Sequence, residues 1–389
     1  MNNGDYINSK IEIGFDPFKG IKIIAKENIN KGEYIIAEKA IYCCRTHDPN
    51  NAFETSTKIN TPLHLISQIE QIDILNNLIK ILKKSPLDYK EFFILYNGDN
   101  LIENYNERLE NLPENLLSII NIDLIEKICR YNKYTSIRNI YYPYKVSTGI
   151  WRYFSLFNHS CLPNTINFGI GDFVFVIANR LIKKGEEINI LYLSTPKLYN
   201  INKNMLKNIY NFECNCLLCE SEKKIREKYP DILSQYDDFI IKIREYNLDY
   251  EKGMKRIKDF SLFLDKNKNI LSEFELGRGY LNLSGVCIDN QYVREFFDLA
   301  NKYLKNGDIE CMRINFNKYL EYCQNMKDKN LLSLDYYNKV INEFINFYES
   351  FCGLKEKDIK LLLKDNIEEN KNDQLMTKNF MKSNENIKI

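Results

Sequence analysis

The sequence predicts an α+β protein with short β-sheets split by a helical insert, followed by a cysteine-rich module and an all-α C-terminal domain. Short apolar runs bounded by turn residues indicate strands in two separate parts of the chain, residues 11–44 and 165–193. Apolar residues spaced three or four apart indicate helices between these parts and after residue 220. Three cysteines within six positions separate the second β segment from the C-terminal helices.

The first β segment is followed by the predicted helical insert. Residues 21–25 and 33–37 are short apolar runs, and residues 30–32 between them form a turn signal. From about residue 62 to 130, apolar side chains recur with helical spacing, and prolines stand near the expected helix starts. The apolar positions are Leu63, Ile66, Ile69, Ile72, Leu75, Leu78, Ile79, Leu116, Leu117, Ile120, Leu124, Ile125 and Ile128.

The second β segment leads into helices. Residues 172–177 and 187–193 are predicted strands, joined by a turn at residues 183–185. Ser194-Thr195-Pro196 predicts the start of a helix that runs towards Tyr210. After the cysteines, helical periodicity continues almost to the end, with Ser333 as a predicted N-cap.

Composition sets the broad class of the protein. Of its 389 residues, 44% are hydrophobic and 13% aromatic, which excludes wholesale disorder. The 54 basic and 53 acidic residues nearly cancel, so we expect no general attraction to nucleic acid. The sequence has no apolar run of about 18 residues and no visible secretory signal. We therefore expect no membrane association, and a location in the nucleus, the cytoplasm or both.

The sharpest local motif is Cys214-Asn215-Cys216-Leu217-Leu218-Cys219. Eleven cysteines, an odd number without a signal peptide, fit a disulfide framework poorly. Zn²⁺ prefers four tetrahedral sulfur or nitrogen ligands, so these three thiols would need a fourth ligand from elsewhere. The alternative interpretation is three buried free cysteines at the end of a helix.

Two further motifs stand in the second β segment. Asn158-His159-Ser160-Cys161-Leu162-Pro163-Asn164 follows an aromatic-rich stretch, and Gly185-Glu186-Glu187 opens a predicted strand that ends on Tyr192. Taken singly, His159 fits a core histidine, Cys161 a small buried apolar residue, and Tyr192 one tyrosine among 27. Their order along the chain carries more information than any one of them.

That order resembles the SET-domain protein lysine methyltransferases, most closely the SET and MYND-type branch. The resemblance lies in Lys19-Gly20-Ile21-Lys22-Ile23, the two motifs above, and Phe212-Glu213 with the cysteines, and covers about residues 10–220. Two departures are visible. The MYND zinc finger is lacking, since only Cys43, Cys44 and His47 lie at its place. Lys22 stands where the family's turn usually carries a second glycine.

The resemblance implies a domain order. It gives a SET domain split into residues 10–44 and 131–193 around a helical insert at 45–130. A zinc-bound post-SET module at 194–220, a helical C-terminal domain at 221–365 and a flexible tail at 366–389 complete the chain.

The resemblance also implies methyl transfer from S-adenosyl-L-methionine to a lysine of a protein substrate, a histone tail or another protein. Tyr192 would act at the methyl-transfer site, and Tyr210 would line the lysine channel. The implied cofactor contacts are Lys19, Gly20, Asn132, Asn158, His159 and Phe212. Tyr210 and Asn132 also have plain structural interpretations, Asn132 as a helix C-cap.

Within this resemblance, Cys161 becomes the remote fourth ligand of a structural zinc ion held with Cys214, Cys216 and Cys219. The ion would tie the segment after Tyr192 to the loop that carries Asn158. Two other functions stay open, a catalytically inactive zinc-stapled scaffold and, less favoured, a zinc-dependent nucleic-acid binder. We expect the protein to be a monomer.

Overall fold

The computed structural model describes residues 5–45, 77–84, 86–96, 122–137, 146–170, 172–193, 199–243, 250–286, 290–304 and 309–352, with Glu356 and Ile359. The strands are β1 (Tyr6–Ile7), β2 (Ile11–Asp16), β3 (Gly20–Ala25), β4 (Tyr34–Lys39), β5 (Tyr42–Arg45), β6 (Tyr134–Ile137), β7 (Val146–Ile150), β8 (Asn158–His159), β9 (Thr165–Ile170), β10 (Phe173–Ala178) and β11 (Glu187–Ile190). The α-helices are α1 (Pro86–Phe93), α2 (Ile122–Asn132), α3 (Tyr199–Tyr210), α4 (Leu217–Lys228), α5 (Pro230–Ile243), α6 (Tyr250–Lys266), α7 (Glu273–Val286), α8 (Asn290–Leu304), α9 (Ile309–Asp328) and α10 (Leu334–Phe347). A 3₁₀-helix at Phe154–Leu156 and a π-helix at Tyr348–Cys352 complete these elements.

The chain divides into two compact units. The first unit comprises Met1–His159, Pro163–Tyr192 and Ile345–Ile389. The second unit comprises Ser160–Leu162 and Leu193–Phe344. All the described strands lie in the first unit, and helices α3 to α9 lie in the second.

Three small sheets build the first unit. Their strand orders are β1-β4-β10-β9, β2-β3-β11-β8 and β5-β7-β6. Neighbouring strands are antiparallel except β8 and β11, which run parallel with Asn158 opposite Asn189 and His159 opposite Ile190. The second sheet therefore brings the Asn158–His159 dipeptide beside the strand that follows Gly185.

The sequence pattern explains which strand faces are buried. In β3, Ile21, Ile23 and Ala25 are buried and alternate with more exposed residues, as expected for a strand with one face on a core. In β4 and β10 nearly every residue is buried, which fits their continuous apolar runs. Trp151, Phe157 and Phe92 are among the large side chains that fill this core.

Strand β11 is shorter than predicted, which corrects one expectation. The predicted strand covered residues 187–193, whereas β11 ends at Ile190. The pairing of β11 with its neighbours ends there. Strand β3 pairs with Glu187 and Ile188. Strand β8 pairs with Asn189 and Ile190. Tyr192 therefore lies beyond the strand rather than at its last position.

The predicted helical insert is described only in part. Residues 77–82, α1 and α2 are helical, as the periodicity predicted. The predicted helical positions from Leu63 to Leu75 and from Leu116 to Ile120 lie outside the described residues, as do His47, the Ser194-Thr195-Pro196 start signal and the tail from 366.

The C-terminal region is helical, as predicted. Ser333 caps α10, because its Oγ accepts a hydrogen bond from the Tyr336 N–H at 3.2 Å. Ser272 caps α7, and the Glu275 carboxylate bonds back to the Ser272 N–H at 2.9 Å, a capping box. None of the described helices combines the length and the apolar character needed to cross a bilayer. The α+β class, with short sheets and a helical C-terminal region, is confirmed.

One buried carboxyl group in the first unit makes stability depend on pH. Glu38 in β4 is fully buried, and its carboxylate accepts hydrogen bonds from the N–H groups of Arg152 (2.7 Å), Tyr153 (3.0 Å) and Phe154 (2.9 Å). Burial outweighs these bonds and raises the pKa of Glu38 to about 7; Asp5 adds to this and the Arg152 charge opposes it.

Because this pKa is raised above its unfolded value of 4.5, Glu38 stabilises the fold below that value and the contribution is lost as pH rises through about 7. We expect its contribution to the free energy of unfolding to fall by about 3 kcal/mol between pH 5 and 8. Urea denaturation across this range should show a smaller loss in Glu38→Gln, whereas the exposed Glu12→Gln should follow the wild type. Equal slopes for wild type and Glu38→Gln would contradict the assignment.

Candidate functional site

The turn between β2 and β3 leaves its backbone accessible at Gly20. The Asp16 Oδ1 accepts hydrogen bonds from the N–H groups of Phe18 (2.9 Å) and Lys19 (3.1 Å), which holds the turn. Gly20 follows with φ +79°, a left-handed conformation that strongly favours glycine. A Cβ built on Gly20 would meet no atom within 4 Å, so the turn leaves open space beside its backbone.

Lys22 does not disturb this turn. It lies inside β3, opposite Gly14 of β2, and its Nζ lies 3.5 Å from Asp16 Oδ2. Among the described residues of this hairpin that follow the turn, Gly20 is the one with positive φ. The position of Lys22 therefore needs no glycine, and the lysine helps to hold the Asp16 carboxylate.

The Glu187 carboxylate joins two of the predicted cofactor contacts. Its Oε1 accepts a hydrogen bond from Asn158 Nδ2 at 2.8 Å, and its Oε2 lies 3.0 Å from Lys19 Nζ. Asn158 Nδ2 also donates to the Ile21 carbonyl at 3.2 Å. Lys19 and Asn158 thus meet on one carboxylate at the start of β11, and Asn158 also bonds to the backbone after Gly20.

A second asparagine fixes the position of β11. Asn164 is buried; its Nδ2 donates to the Glu187 carbonyl at 2.9 Å and its Oδ1 accepts from the Asn189 N–H at 2.9 Å. The Thr165 hydroxyl donates to the Asn189 carbonyl at 2.6 Å. The asparagine motif therefore holds β11 through side chains on the backbone, in addition to the β8 ladder.

Tyr192 is held at both ends by the segment 157–159. Its hydroxyl donates to the Phe157 carbonyl at 2.7 Å. Its backbone N–H donates to the Nδ1 of His159 at 3.1 Å, and the two rings lie 5.3 Å apart. The side chain is half-buried against the core. The phenol is thus fixed in place, with its proton directed at a carbonyl and the remaining oxygen lone pairs directed away from it.

Asn132 lies at the end of α2 and is buried. Its Nδ2 donates to the carbonyls of Tyr96 (2.6 Å) and Ile128 (2.8 Å). This is the helix-end role that the sequence also allowed. The contact of Asn132 with a cofactor stays a prediction.

Tyr210 and Phe212 lie in the second unit, where α3 ends. Asn211 between them has φ +59°, and its N–H donates to the Lys207 carbonyl at 3.1 Å, which terminates the helix. The two rings lie 6.5 Å apart, and burial raises the pKa of Tyr210. The two aromatic side chains therefore stand side by side on one short turn.

Four cysteines of the second unit lie close together, as the resemblance implied. The sulfur atoms of Cys161, Cys214, Cys216 and Cys219 all lie within 4.8 Å of one another. Cys161 Sγ is 3.5 Å from Cys219 Sγ and 4.0 Å from Cys214 Sγ. Four sulfurs at 2.3 Å from one tetrahedral ion would be about 3.8 Å apart, whereas a disulfide needs about 2.05 Å. The geometry fits a divalent ion bound by four thiolates.

The chemistry of these donors also fits a cation. Hydrogen bonding among the thiols and burial raise the pKa of Cys161, whereas the hydrogen bond from Cys161 lowers the pKa of Cys216 to about 6. Cys216 is the N-cap residue of α4, where the helix dipole favours negative charge. Four thiolates this close repel one another unless a cation neutralises them. A search of the described residues for groups of cysteine, histidine or acidic side chains that could hold a metal ion finds these four cysteines.

Sequence reasoning did not assign three residues of this site. Glu187 and Asn164 stand inside the motifs quoted above, and both make the contacts that position β11. These contacts join residues 158–164 to β11, more than 20 residues later in the chain, and the linear motif does not show them. Phe157 contributes only a carbonyl, for which a side-chain pattern carries no signal.

Comparison with known proteins agrees with the motifs. The SET domain family model matches residues 20–193. The histone-lysine N-methyltransferase SMYD3 of Mus musculus is 35% identical over 80 residues, 21% of this chain and 19% of that protein. A SET and MYND domain-containing protein of Dictyostelium discoideum is 35% identical over 82 residues, 21% of this chain and 15% of that protein. The matched segment therefore spans less than a fifth of either relative.

Among solved structures, the SET domain of LSMT bound to lysine and AdoHcy aligns over 96% of this chain and 95% of its own, at 13% identity and a TM-score of 0.31. A score this low adds no weight to the assignment, which rests on the family model and the local sequence matches. The expected resemblance is confirmed: residues 20–193 match the SET domain family model.

Proposed function

We propose that this protein is an S-adenosyl-L-methionine-dependent protein-lysine N-methyltransferase with Tyr192 at the methyl-transfer site. The observation that carries the proposal is the fixed position of Tyr192, held through its hydroxyl by Phe157 and through its N–H by His159. The SET family match over the same residues supports it. The relatives named as lysine methyltransferases support it only over the short segment that they share with this chain.

The residues present fit a methyl donor of this kind. The Gly20 turn leaves open space beside its backbone, as a ligand that approaches the main chain requires. Lys19 and Gly20 would contact the methionine end of the donor, and Asn158 and His159 lie on β8 of the same sheet. S-adenosyl-L-methionine supplies an electrophilic methyl carbon on a positively charged sulfur, so the reaction centre needs no metal.

The substrate amine must lose its proton before it can attack. A free lysine has a pKa of about 10.4, and a narrow apolar channel beside a cationic sulfur lowers that pKa. The amine lone pair then forms the new C–N bond while the electrons of the C–S bond stay on sulfur. Methyl carbon and nitrogen must be aligned about 3–3.5 Å apart, so positioning supplies much of the rate.

Tyr192 would position and stabilise rather than act as a base. Because its proton is directed at the Phe157 carbonyl, its lone pairs can accept N–H from the amine or contact the partly positive methyl hydrogens. Both interactions strengthen as charge moves during transfer, and a preorganised oxygen has no reorganisation cost at that moment.

Other assignments follow from the resemblance and stay proposals. Tyr210 would line the lysine channel, and Phe212 would stack on the adenine ring, since aromatic rings stack well on nucleobases. Cys161, Cys214, Cys216 and Cys219 would hold a structural zinc ion, which is saturated by four ligands and leaves no position for catalysis. The protein substrate is a histone tail or another protein, and we propose a monomer that works in the nucleus, the cytoplasm or both.

Calorimetric binding of S-adenosyl-L-methionine and transfer of a radiolabelled methyl group to a mixture of histones and cell proteins test this proposal. We expect binding in the micromolar range and label on lysine, located by mass spectrometry. Binding without transfer to any substrate would favour the inactive scaffold. If the zinc-loaded protein showed neither binding of S-adenosyl-L-methionine nor methyl transfer, the proposal would be overturned.

A further inference from the structure

The backbone N–H of Tyr192 lies just past the end of a strand. The pairing of β11 with its neighbours ends at Ile190, so among the described strands no ladder continues to Tyr192. Its N–H instead donates to a side chain, the Nδ1 of His159, at 3.1 Å. Because Nδ1 is an acceptor here, the neutral ring carries its proton on Nε2.

The strand register explains why His159 reaches this N–H. The parallel pairing of β8 with β11 sets His159 opposite Ile190, two residues before Tyr192. The two rings then lie 5.3 Å apart with planes inclined by 50°. The imidazole therefore continues the contact between the two strands after the backbone ladder has ended.

The other end of Tyr192 depends on the same short segment. The phenol hydroxyl donates to the carbonyl of Phe157, two residues before His159. One segment of three residues therefore fixes both the backbone and the hydroxyl of Tyr192. Between them, Asn158 bonds to Glu187 and to the Ile21 carbonyl, which ties this segment to the turn that carries Gly20.

We propose that His159 is a positioning residue for Tyr192, with its imidazole acting as the acceptor that fixes the backbone of the tyrosine. The inference rests on the proposed function and goes beyond it, because the resemblance implies a cofactor contact for His159. The two roles differ in what they change. A cofactor contact sets the affinity for S-adenosyl-L-methionine, whereas a positioning contact sets the rate of transfer from the bound complex.

Two variants separate the hydrogen bond from the bulk of the ring. In His159→Asn the side-chain Oδ1 stands one bond beyond Cγ, as Nδ1 does, and keeps an acceptor near the Tyr192 N–H. In His159→Leu a side chain of similar volume offers no acceptor. A displacement of about 1 Å at a reacting group can cost about 100-fold in rate. We expect kcat to fall about 10- to 100-fold in His159→Leu and less than about 5-fold in His159→Asn, with the dissociation constant for S-adenosyl-L-methionine changed less than about 3-fold in both.

Hydrogen exchange at the Tyr192 amide reports the same contact without any enzyme assay. We expect slow exchange in the wild type and in His159→Asn, and exchange about 10-fold or more faster in His159→Leu. Ser155→Ala, which removes a hydroxyl bond to the Trp151 carbonyl in the same stretch, serves as the control. It should change neither kcat nor exchange at Tyr192.

A double-mutant cycle with Tyr192→Phe adds a test of coupling. If His159 acts through the phenol, His159→Leu should lower kcat much less in the Tyr192→Phe background than in the wild type. Unchanged kcat and unchanged Tyr192 exchange in His159→Leu would overturn the inference, as would a loss confined to affinity for S-adenosyl-L-methionine. A wild type without methyl transfer would refute the proposed function, and the exchange measurement would still decide the role of His159.

Discussion

Replacing Tyr192 by phenylalanine is expected to lower methyl transfer by at least about 100-fold, the size of effect seen when one transition-state hydrogen-bonding group is removed. The change removes the hydroxyl that is fixed by the Phe157 carbonyl and keeps the ring against the core. Because the backbone contact with His159 is retained, the fold and the affinity for S-adenosyl-L-methionine should change little. Single-turnover rates and calorimetry on the same preparation measure the two effects separately.

The matched control is Tyr153→Phe. Tyr153 lies in the same aromatic stretch and packs against the same core, but it is not among the proposed site residues. It should keep nearly full activity. If Tyr192→Phe transferred methyl groups as fast as the wild type, the active site would lie elsewhere.

Loss of the proposed zinc ion is expected to unfold the segment around the four cysteines. Elemental analysis should find one zinc ion per chain in the wild type, and Cys161→Ser should lower this value as strongly as Cys214→Ser does. Zinc binding contributes on the order of 10 kcal/mol in small zinc modules, so the folded segment depends on it. Hydrogen exchange should increase first in α4, which begins directly after Cys216.

The effect should spread along buried ion pairs of the second unit. Glu222 in α4 lies 3.1 Å from Arg278 in α7, and Arg226 in α4 forms two hydrogen bonds to Asp237 in α5. When α4 loosens, these charges lose partners in a region where an unpaired charge is costly. We expect faster exchange in α5 and α7 after treatment with a chelator.

Cys311→Ser is the control for the cysteine variants, because Cys311 is buried in α9, apart from the four clustered sulfurs. It should keep full zinc content. Metal released by Cys214→Ser but kept by Cys161→Ser would mean that another residue supplies the fourth ligand.

The proposed site follows from the order of the motifs along the chain rather than from any single residue. Tyr192 is one tyrosine among 27, and the resemblance to the SET family, through its place after Gly185-Glu186-Glu187, is what singled it out. The cluster of Cys161 with the three later cysteines was expected from the resemblance, although spacing alone showed only that a fourth ligand was required. These features can be recognised in the sequence because each consists of particular residue types at a set distance along the chain.

Contacts between distant segments were harder to predict. The predicted strand at residues 187–193 extended three residues too far, because an apolar run does not show where the partner strands end. Glu38 gave no signal either, since a glutamate next to an apolar run usually faces water, and only the packed fold shows the three N–H groups that surround it. The departure at Lys22 leaves the turn itself intact, because the residue with positive φ there is Gly20.

The order β2-β3-β11-β8 has a consequence for the nascent chain on the ribosome. Strand β3 can pair with β11 only after β11 has been synthesised, because Ile24 pairs with Glu187, about 160 residues later in the chain. At usual rates of translation this delay lasts roughly 10 to 30 s, during which an apolar strand edge has no partner. Chaperones that cover such edges during synthesis would therefore have a long period in which to act, and the proposed site around Tyr192 would be among the last parts of this domain to form.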